Sequence, residues 1–96
     1  MSHGNWKDMF KAFEENDFEL LEFYIRQGID VNYQHPEYMT NPLIESIRHN
    51  NIEMMVFLLE HDASPHVVEV YANKSALTIA TELNNKQAVK ILSQYM

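Results

Sequence analysis

Three stretches of this chain are crowded with apolar side chains and share one narrow polar edge. They are Leu20-Leu21 with Phe23-Tyr24-Ile25, Met54-Met55 with Phe57-Leu58-Leu59, and Ala88-Val89 with Ile91-Leu92. The polar edge is Glu19, Glu22 and Arg26 in the first and Gln87, Lys90 and Gln94 in the third. In the second it is Glu53 and Glu60, with Val56 between them. That i, i+3, i+7 edge predicts helices wetted along one line and packed on their other sides. A shorter segment precedes each: Met9 to Asn16, Leu43 to Asn50 and Leu77 to Asn84. The three sets align without a gap, so that Asn16, Asn50 and Asn84 stand 34 positions apart. A fixed period in this range predicts a stack of helical hairpins, each shielding the apolar flank of the next. Stacks of this kind expose surfaces for binding and few enclosed pockets for catalysis.

Punctuation supports the same plan. Asn41-Pro42 predicts a helix start, with Asn as the cap and Pro in the first turn, and Ser75 holds the place of Asn41. Asp17, Asn51 and Asn85 each precede a second helix and are good N-caps. The residue before each of them is Asn, expected in the left-handed conformation of a tight turn. Gly28 is expected just past the end of the first copy's second helix, and Asp62 takes that place, less comfortably, in the next copy. Position 12/46/80 is Ala, Ser, Ala, small enough for first helices to approach closely. Val67-Val68-Glu69-Val70-Tyr71 predicts a short extended segment, either a hairpin arm or an open edge.

These residues resemble ankyrin repeats. The family's T-P-L-H-x-A start is matched in part by Asn41-Pro42-Leu43 with Ser46 and by Ser75-Ala76-Leu77 with Ala80. Its G-A-D-V-N loop is matched by Gly28-Ile29-Asp30-Val31-Asn32. The resemblance runs from about Trp6 to Met96. It implies an all-α, ankyrin-like solenoid of three helix-turn-helix repeats with protruding loops, over about 6–39, 40–73 and 74–96 of one domain spanning 1–96. The T-P-L-H histidine is replaced by Phe10, Ile44 and Thr78, so the hydrogen bonds it makes between repeats in the family are expected to be missing. Thr78, Thr81 and Ser93 stand where the middle copy has Ile44, Ile47 and Leu59. A polar outer face suits a terminal repeat, so a complete three-repeat protein is expected.

Composition narrows function mostly by exclusion. The formal net charge is −7, with −5 carried by residues 1–37, which speaks against nucleic acid as partner. No apolar run is long enough to span a membrane. The start Met1-Ser2-His3-Gly4 shows no secretory leader. There is no cysteine, which fits a reducing, cytoplasmic setting and removes thiol nucleophiles and zinc–thiolate sites. With only Gly4 and Gly28, no phosphate-cradling loop can be built. Glu14 and Glu15 are adjacent on a helix and point apart, so they form no acid–base pair. His61 and His66 are the best local metal candidates, but one ends a helix and the other lies in a loop. No catalytic residue, metal or cofactor is therefore assigned.

The resemblance implies a concave binding face made by loop tips and the exposed edge of the first helices. Carried over by register, it comprises Trp6, Glu14 and Glu15; Glu37, Tyr38, Thr40, Arg48 and His49; and Tyr71, Lys74, Glu82 and Leu83. Trp6, Tyr38 and Tyr71 either form one aromatic track on that face or serve structure, Trp6 closing the end of the core and the tyrosines packing on neighbouring loops. The expected function is a non-catalytic, monomeric module presenting an acidic and aromatic surface to a protein partner. The alternatives are an acidic inhibitor of a basic toxin or nuclease, as an antitoxin or immunity protein is, and an accessory factor of an intracellular enzyme.

Overall fold

Caps decide where each helix of this chain begins. The computed structural model describes residues 5–96; the Met1–Gly4 start, where no leader is expected, lies outside them. Six helices and one short hairpin follow in order: α1 (Trp6–Glu14), α2 (Phe18–Arg26), α3 (Pro42–Arg48), α4 (Ile52–Glu60), β1 (Val68–Glu69), β2 (Lys74–Ser75), α5 (Ala76–Glu82) and α6 (Lys86–Gln94). The side chains of Asn41 and Ser75 accept from the N–H groups of Ile44 and Thr78 at the starts of α3 and α5. Asp17, Asn51 and Asn85 do the same for α2, α4 and α6. The start of α1 differs. Asn5 caps it, and Asp8 accepts in return from the Asn5 N–H at 3.0 Å. This reciprocal pair satisfies two otherwise orphaned donors. It gives α1 nine residues where α3 and α5 have seven.

One turn chemistry joins the two helices of every hairpin. Asn16, Asn50 and Asn84 have φ of 55°, 53° and 56°. The N–H of the next residue, Asp17, Asn51 or Asn85, donates to the carbonyl of Ala12, Ser46 or Ala80. This is the Schellman pattern, so a single residue closes one helix and caps the next. Gly28 (φ 98°) and Asp62 (φ 75°) end α2 and α4 in the same conformation.

The hairpins α1–α2, α3–α4 and α5–α6 form three layers, with α3 packed on α5. Leu21, Met55 and Val89 hold the same helical position; the first two are fully buried, and Val89, with no later layer above it, is partly so. The preceding position shows the opposite end effect. Met54 and Ala88 are buried by the layer before them, whereas Leu20 is 36% exposed and nearby Phe23 48%. Both were expected to be covered, and both lie open because, among the described residues, no earlier layer meets α2. At the far end Thr78, Thr81 and Ser93 are exposed, where Ile44, Ile47 and Leu59 are buried.

Polar bonds cross between layers at other places than the missing T-P-L-H histidine. The Asn51 side-chain N–H donates to the Asn16 side-chain oxygen at 2.9 Å, and Asn85 donates to Asn50 at 3.1 Å. Each cap therefore uses its oxygen on its own helix and its amide on the layer before. On the outer edge of the second helices His61, at the end of α4, reaches Glu22 of α2 at 3.1 Å while its other ring nitrogen meets the Phe57 carbonyl at 2.8 Å. Glu22 also takes Arg26 at 3.2 Å. Burial alone would push His61 down; the Phe57 carbonyl and the Glu22 carboxylate outweigh it and raise it. The hydrogen bond from His61, with help from Arg26, holds Glu22 below its ordinary value.

Candidate functional site

Two loops stand out from the first helices as fingers, and their shape comes from one repeated position. In the first finger His35 and Thr40 close a turn through the His35 N–H to the Thr40 carbonyl (2.7 Å) and the Met39 N–H to the His35 carbonyl (2.6 Å), with Met39 at φ 55°. In the second, β1 and β2 pair antiparallel, Val68 with Ser75 and Glu69 with Lys74. The Asn73 N–H donates to the Glu69 carbonyl at 2.7 Å, and Asn73 has φ 56°. The valine-rich segment is thus a hairpin arm. His35 and Glu69 are 34 apart and both buried. The His35 Nδ1 accepts from the Glu37 and Tyr38 N–H groups at 3.1 and 3.2 Å, and the Ala72 N–H adds a small share to holding the Glu69 carboxyl low. The His35 ring thus satisfies two tip amides that would otherwise be unpaired in the turn.

Glu69 is also the centre of a charged cluster. Its carboxylate, fully buried, receives Arg48 in a two-pronged pair, with Nη2 to Oε1 at 2.5 Å and Nη1 on Oε2, and it receives the Thr40 hydroxyl. Burial alone would push the Glu69 carboxyl up; Arg48 and Thr40 outweigh it and hold it low. Arg48 is held charged above its ordinary value by Glu69 and, at 3.1 Å, by Glu45. The Arg48 guanidinium also lies 5.7 Å from the centre of the Tyr71 ring. These bonds tie the second finger to α3.

The residues assigned to the concave face divide accordingly. Thr40 is 4% exposed, so it cannot meet a partner; it was placed on the face by register, but its hydroxyl is drawn inward by Glu69. Arg48 borders the surface with its charge already committed to two carboxylates. Trp6 is half-buried, stacked on Tyr33 at 5.6 Å and edge-on to His35 at 4.9 Å, where it closes the N-terminal end of the core. Tyr38 stacks on the other face of the same cluster, 4.0 Å from His35, yet stays 60% exposed, and Tyr71 is 69% exposed. The Tyr71 N–H donates to the Met39 carbonyl at 2.8 Å, so the two tips are bonded side by side. A shallow hollow lies between them, lined by Glu37, Tyr38, Met39, Arg48 and Tyr71. Below it a cleft of about 280 Å³ separates α1 from α3, floored by Phe10 and Phe13 and edged by Glu14, Tyr38, Glu45 and His49. Glu15 and Leu83 are exposed at helix ends. Lys74 and Glu82 pair with each other at 2.8 and 2.9 Å.

Glu69 and His35 escaped the sequence reading. The signal was present, since each lies one residue after an inter-finger position and one period from the other, but their unlike chemistries hid the shared task. His61 faces Glu22 and His66 is exposed in a loop. Among the described residues no three histidines or carboxylates gather as a metal would require, and no helix is long and apolar enough to cross a membrane.

Capped helical hairpins in layers, with fingers bonded tip to tip, define a helical repeat protein. Residues 9–96 match the family model for ankyrin repeats in three copies, and the chain belongs to that family. Its members are generally protein–protein interaction modules and typically non-catalytic. No curated protein and no solved structure matches the chain.

Proposed function

We propose that this protein is a non-catalytic, monomeric interaction module of the cytoplasm that presents its two finger tips, and the acidic cleft beneath them, to one protein partner. The supporting observation is the pair Tyr38 and Tyr71: two largely exposed aromatic side chains on tips whose backbones are bonded to each other at 2.8 Å. Aromatic residues dominate interface energies, and side chains carried on a pre-ordered backbone lose less freedom on binding. Glu37 beside the tips and Glu14 at the edge of the cleft add negative charge, which favours a basic contact surface on the partner.

The test is capture of the partner from native lysate, identified by mass spectrometry, with three proteins as bait. Wild type and a Glu53→Ala/Glu60→Ala control on the outer edge of α4 are expected to retain the same partner. Tyr38→Ala/Tyr71→Ala is expected to lose it while keeping its helical circular dichroism. Equal capture by the tyrosine variant rejects the proposed surface. Repeating the capture in salt then separates the finer readings. Collapse in moderate salt supports an inhibitor of a basic toxin or nuclease; persistence supports an accessory factor bound through apolar contacts.

A further inference from the structure

The last residues of α1, α3 and α5 occupy equivalent places, and two of the three have a cation supplied from within the chain. In α3 the residue is Arg48 itself, whose guanidinium lies between the Glu45 and Glu69 carboxylates and 5.7 Å from the centre of the Tyr71 ring. In α5 it is Glu82, which Lys74 neutralises at 2.8 Å. In α1 it is Glu14, one period before Arg48. Among the described residues no cation pairs with Glu14; Lys11 lies on the same helix but forms no ion pair with it. A carboxylate at a helix C-terminus meets the negative end of the dipole, and Glu15, the C-cap, adds a second negative charge there. The helix itself therefore disfavours a charge at Glu14.

Glu14 edges the cleft of about 280 Å³ between α1 and α3, together with Tyr38, Glu45 and His49 over a floor of Phe10 and Phe13. The groups that hold Arg48, two carboxylates and a tyrosine ring, thus border this cleft as well. Its one basic lining residue, His49, already meets Glu45 at 3.4 Å. Both walls of the cleft are layers of this chain, so its opening is not an end of the stack. One layer further on the set is not repeated, because Ile79 and Leu83 stand at the places of Glu45 and His49. An apolar floor suits the methylene stem of a long basic side chain, and an aromatic face beside carboxylates suits a planar guanidinium at its end.

We propose that the cleft between α1 and α3 seats one arginine side chain of the protein partner, its methylenes on Phe10 and Phe13 and its guanidinium among Glu14, Glu45 and the Tyr38 ring. This rests on the reading of the chain as a module that meets a protein partner at the tips and cleft, and names the chemistry that partner brings.

The experiment is amide NMR of the isotope-labelled full chain at constant ionic strength. The probes, carried to roughly 50 mM, are acetyl-arginine-methylamide and its lysine and citrulline counterparts; citrulline keeps the shape of arginine without the charge. The expected result is a saturable shift centred on Phe13, Glu14, Tyr38, Glu45 and His49 with arginine, a weaker one with lysine and none with citrulline. Glu14→Gln, at an exposed helix end, is expected to weaken arginine binding roughly threefold to fivefold without lowering the melting temperature. Glu53→Gln, on the outer edge of α4, is expected to leave it unchanged. The proposal is overturned by the absence of a saturable shift with arginine, by equal shifts with lysine or citrulline, or by undiminished binding to Glu14→Gln. Any of these results leaves the tips standing as a contact surface, because lysate capture tests them separately. Equal capture by the tyrosine variant rejects the tips, and the arginine shifts still decide the cleft.

Discussion

Replacing Arg48 by Met removes the charge that neutralises Glu69 while keeping much of the aliphatic stem that packs beside Tyr71. Glu69 is fully buried and would keep the Thr40 hydroxyl as its remaining side-chain partner. Breaking a buried pair from one side costs roughly 3–5 kcal/mol. Arg48 itself is 29% exposed, so water can enter the vacated space, and we expect a loss of about 2–4 kcal/mol. A chain of this size holds only about 5–14 kcal/mol in total, and the melting temperature should fall by roughly 10–25 °C. Thermal and urea denaturation followed by circular dichroism measure the loss directly. Its pH dependence carries a further signature. In the wild type the Glu69 pKa is depressed, so its contribution is present above the ordinary carboxylate pKa of 4.5 and is lost as pH falls. In Arg48→Met burial raises that pKa, and protonation of Glu69 on acidification relieves the penalty. The gap between the two proteins must therefore narrow from neutral pH towards about pH 4. Replacing Glu69 as well, in Arg48→Met/Glu69→Leu, should recover much of the loss, since an apolar pair needs no neutralisation. A single variant that melts with the wild type, or a gap that stays constant with pH, would refute the assignment of Glu69 as a charge held in place by Arg48.

Other expectations follow from the layers and turns. Leu58→Ala, at a fully buried site in the middle layer, should cost about 2–5 kcal/mol in urea denaturation; an unchanged midpoint would remove Leu58 from the core. Asn51→Ser keeps a good helix cap but withdraws the amide that reaches Asn16, and should cost about 0.5–1.5 kcal/mol. Met39→Asn copies the residue that the second finger uses at the same left-handed position and should raise stability by about 0.5–1 kcal/mol. The contact between His61 and Glu22 should be pH-tuned. The His61 pKa is raised, so its contribution is complete below its ordinary 6.5 and fades as pH rises through the folded value. The Glu22 pKa is lowered, so its contribution is complete above its ordinary 4.5 and fades as pH falls. Wild type should exceed His61→Gln most between pH 4.5 and 6.5, and parallel stability curves from about pH 4 to about pH 9 would exclude the contact.

Caps, turns and layers were legible in the sequence because each depends on local chemistry that recurs. Asn16, Asn50 and Asn84 announce a left-handed turn wherever they stand, and Leu21, Met55 and Val89 fall on one helical face by period alone. The charged cluster was not legible for the converse reason. Arg48 has Glu14 and Glu82 as its repeat equivalents, so its partnership with Glu69, 21 residues away, leaves no periodic trace. Thr40 looked like a surface residue because threonine at a loop end usually is one; only the buried carboxylate beside it draws it inward. Leu20 and Phe23 failed for a geometric reason, since their counterparts in later layers are covered by a neighbour that the first layer does not have. Tyr38 and Tyr71 were found as exposed aromatics, but the bond that brings their tips together belongs to the main chain, where side-chain identity gives no hint.

The paired acceptors inside the fingers suggest a use in protein engineering. His35 and Glu69 hold their turns from within, whereas Pro36, Glu37 and Tyr38 in one tip and Val70 and Tyr71 in the other are exposed. Framework and display are thus carried by separate residues. A library randomised at these five positions, with His35, Glu69 and Arg48 left in place, would vary the recognition letters without redrawing the loop on which they are written.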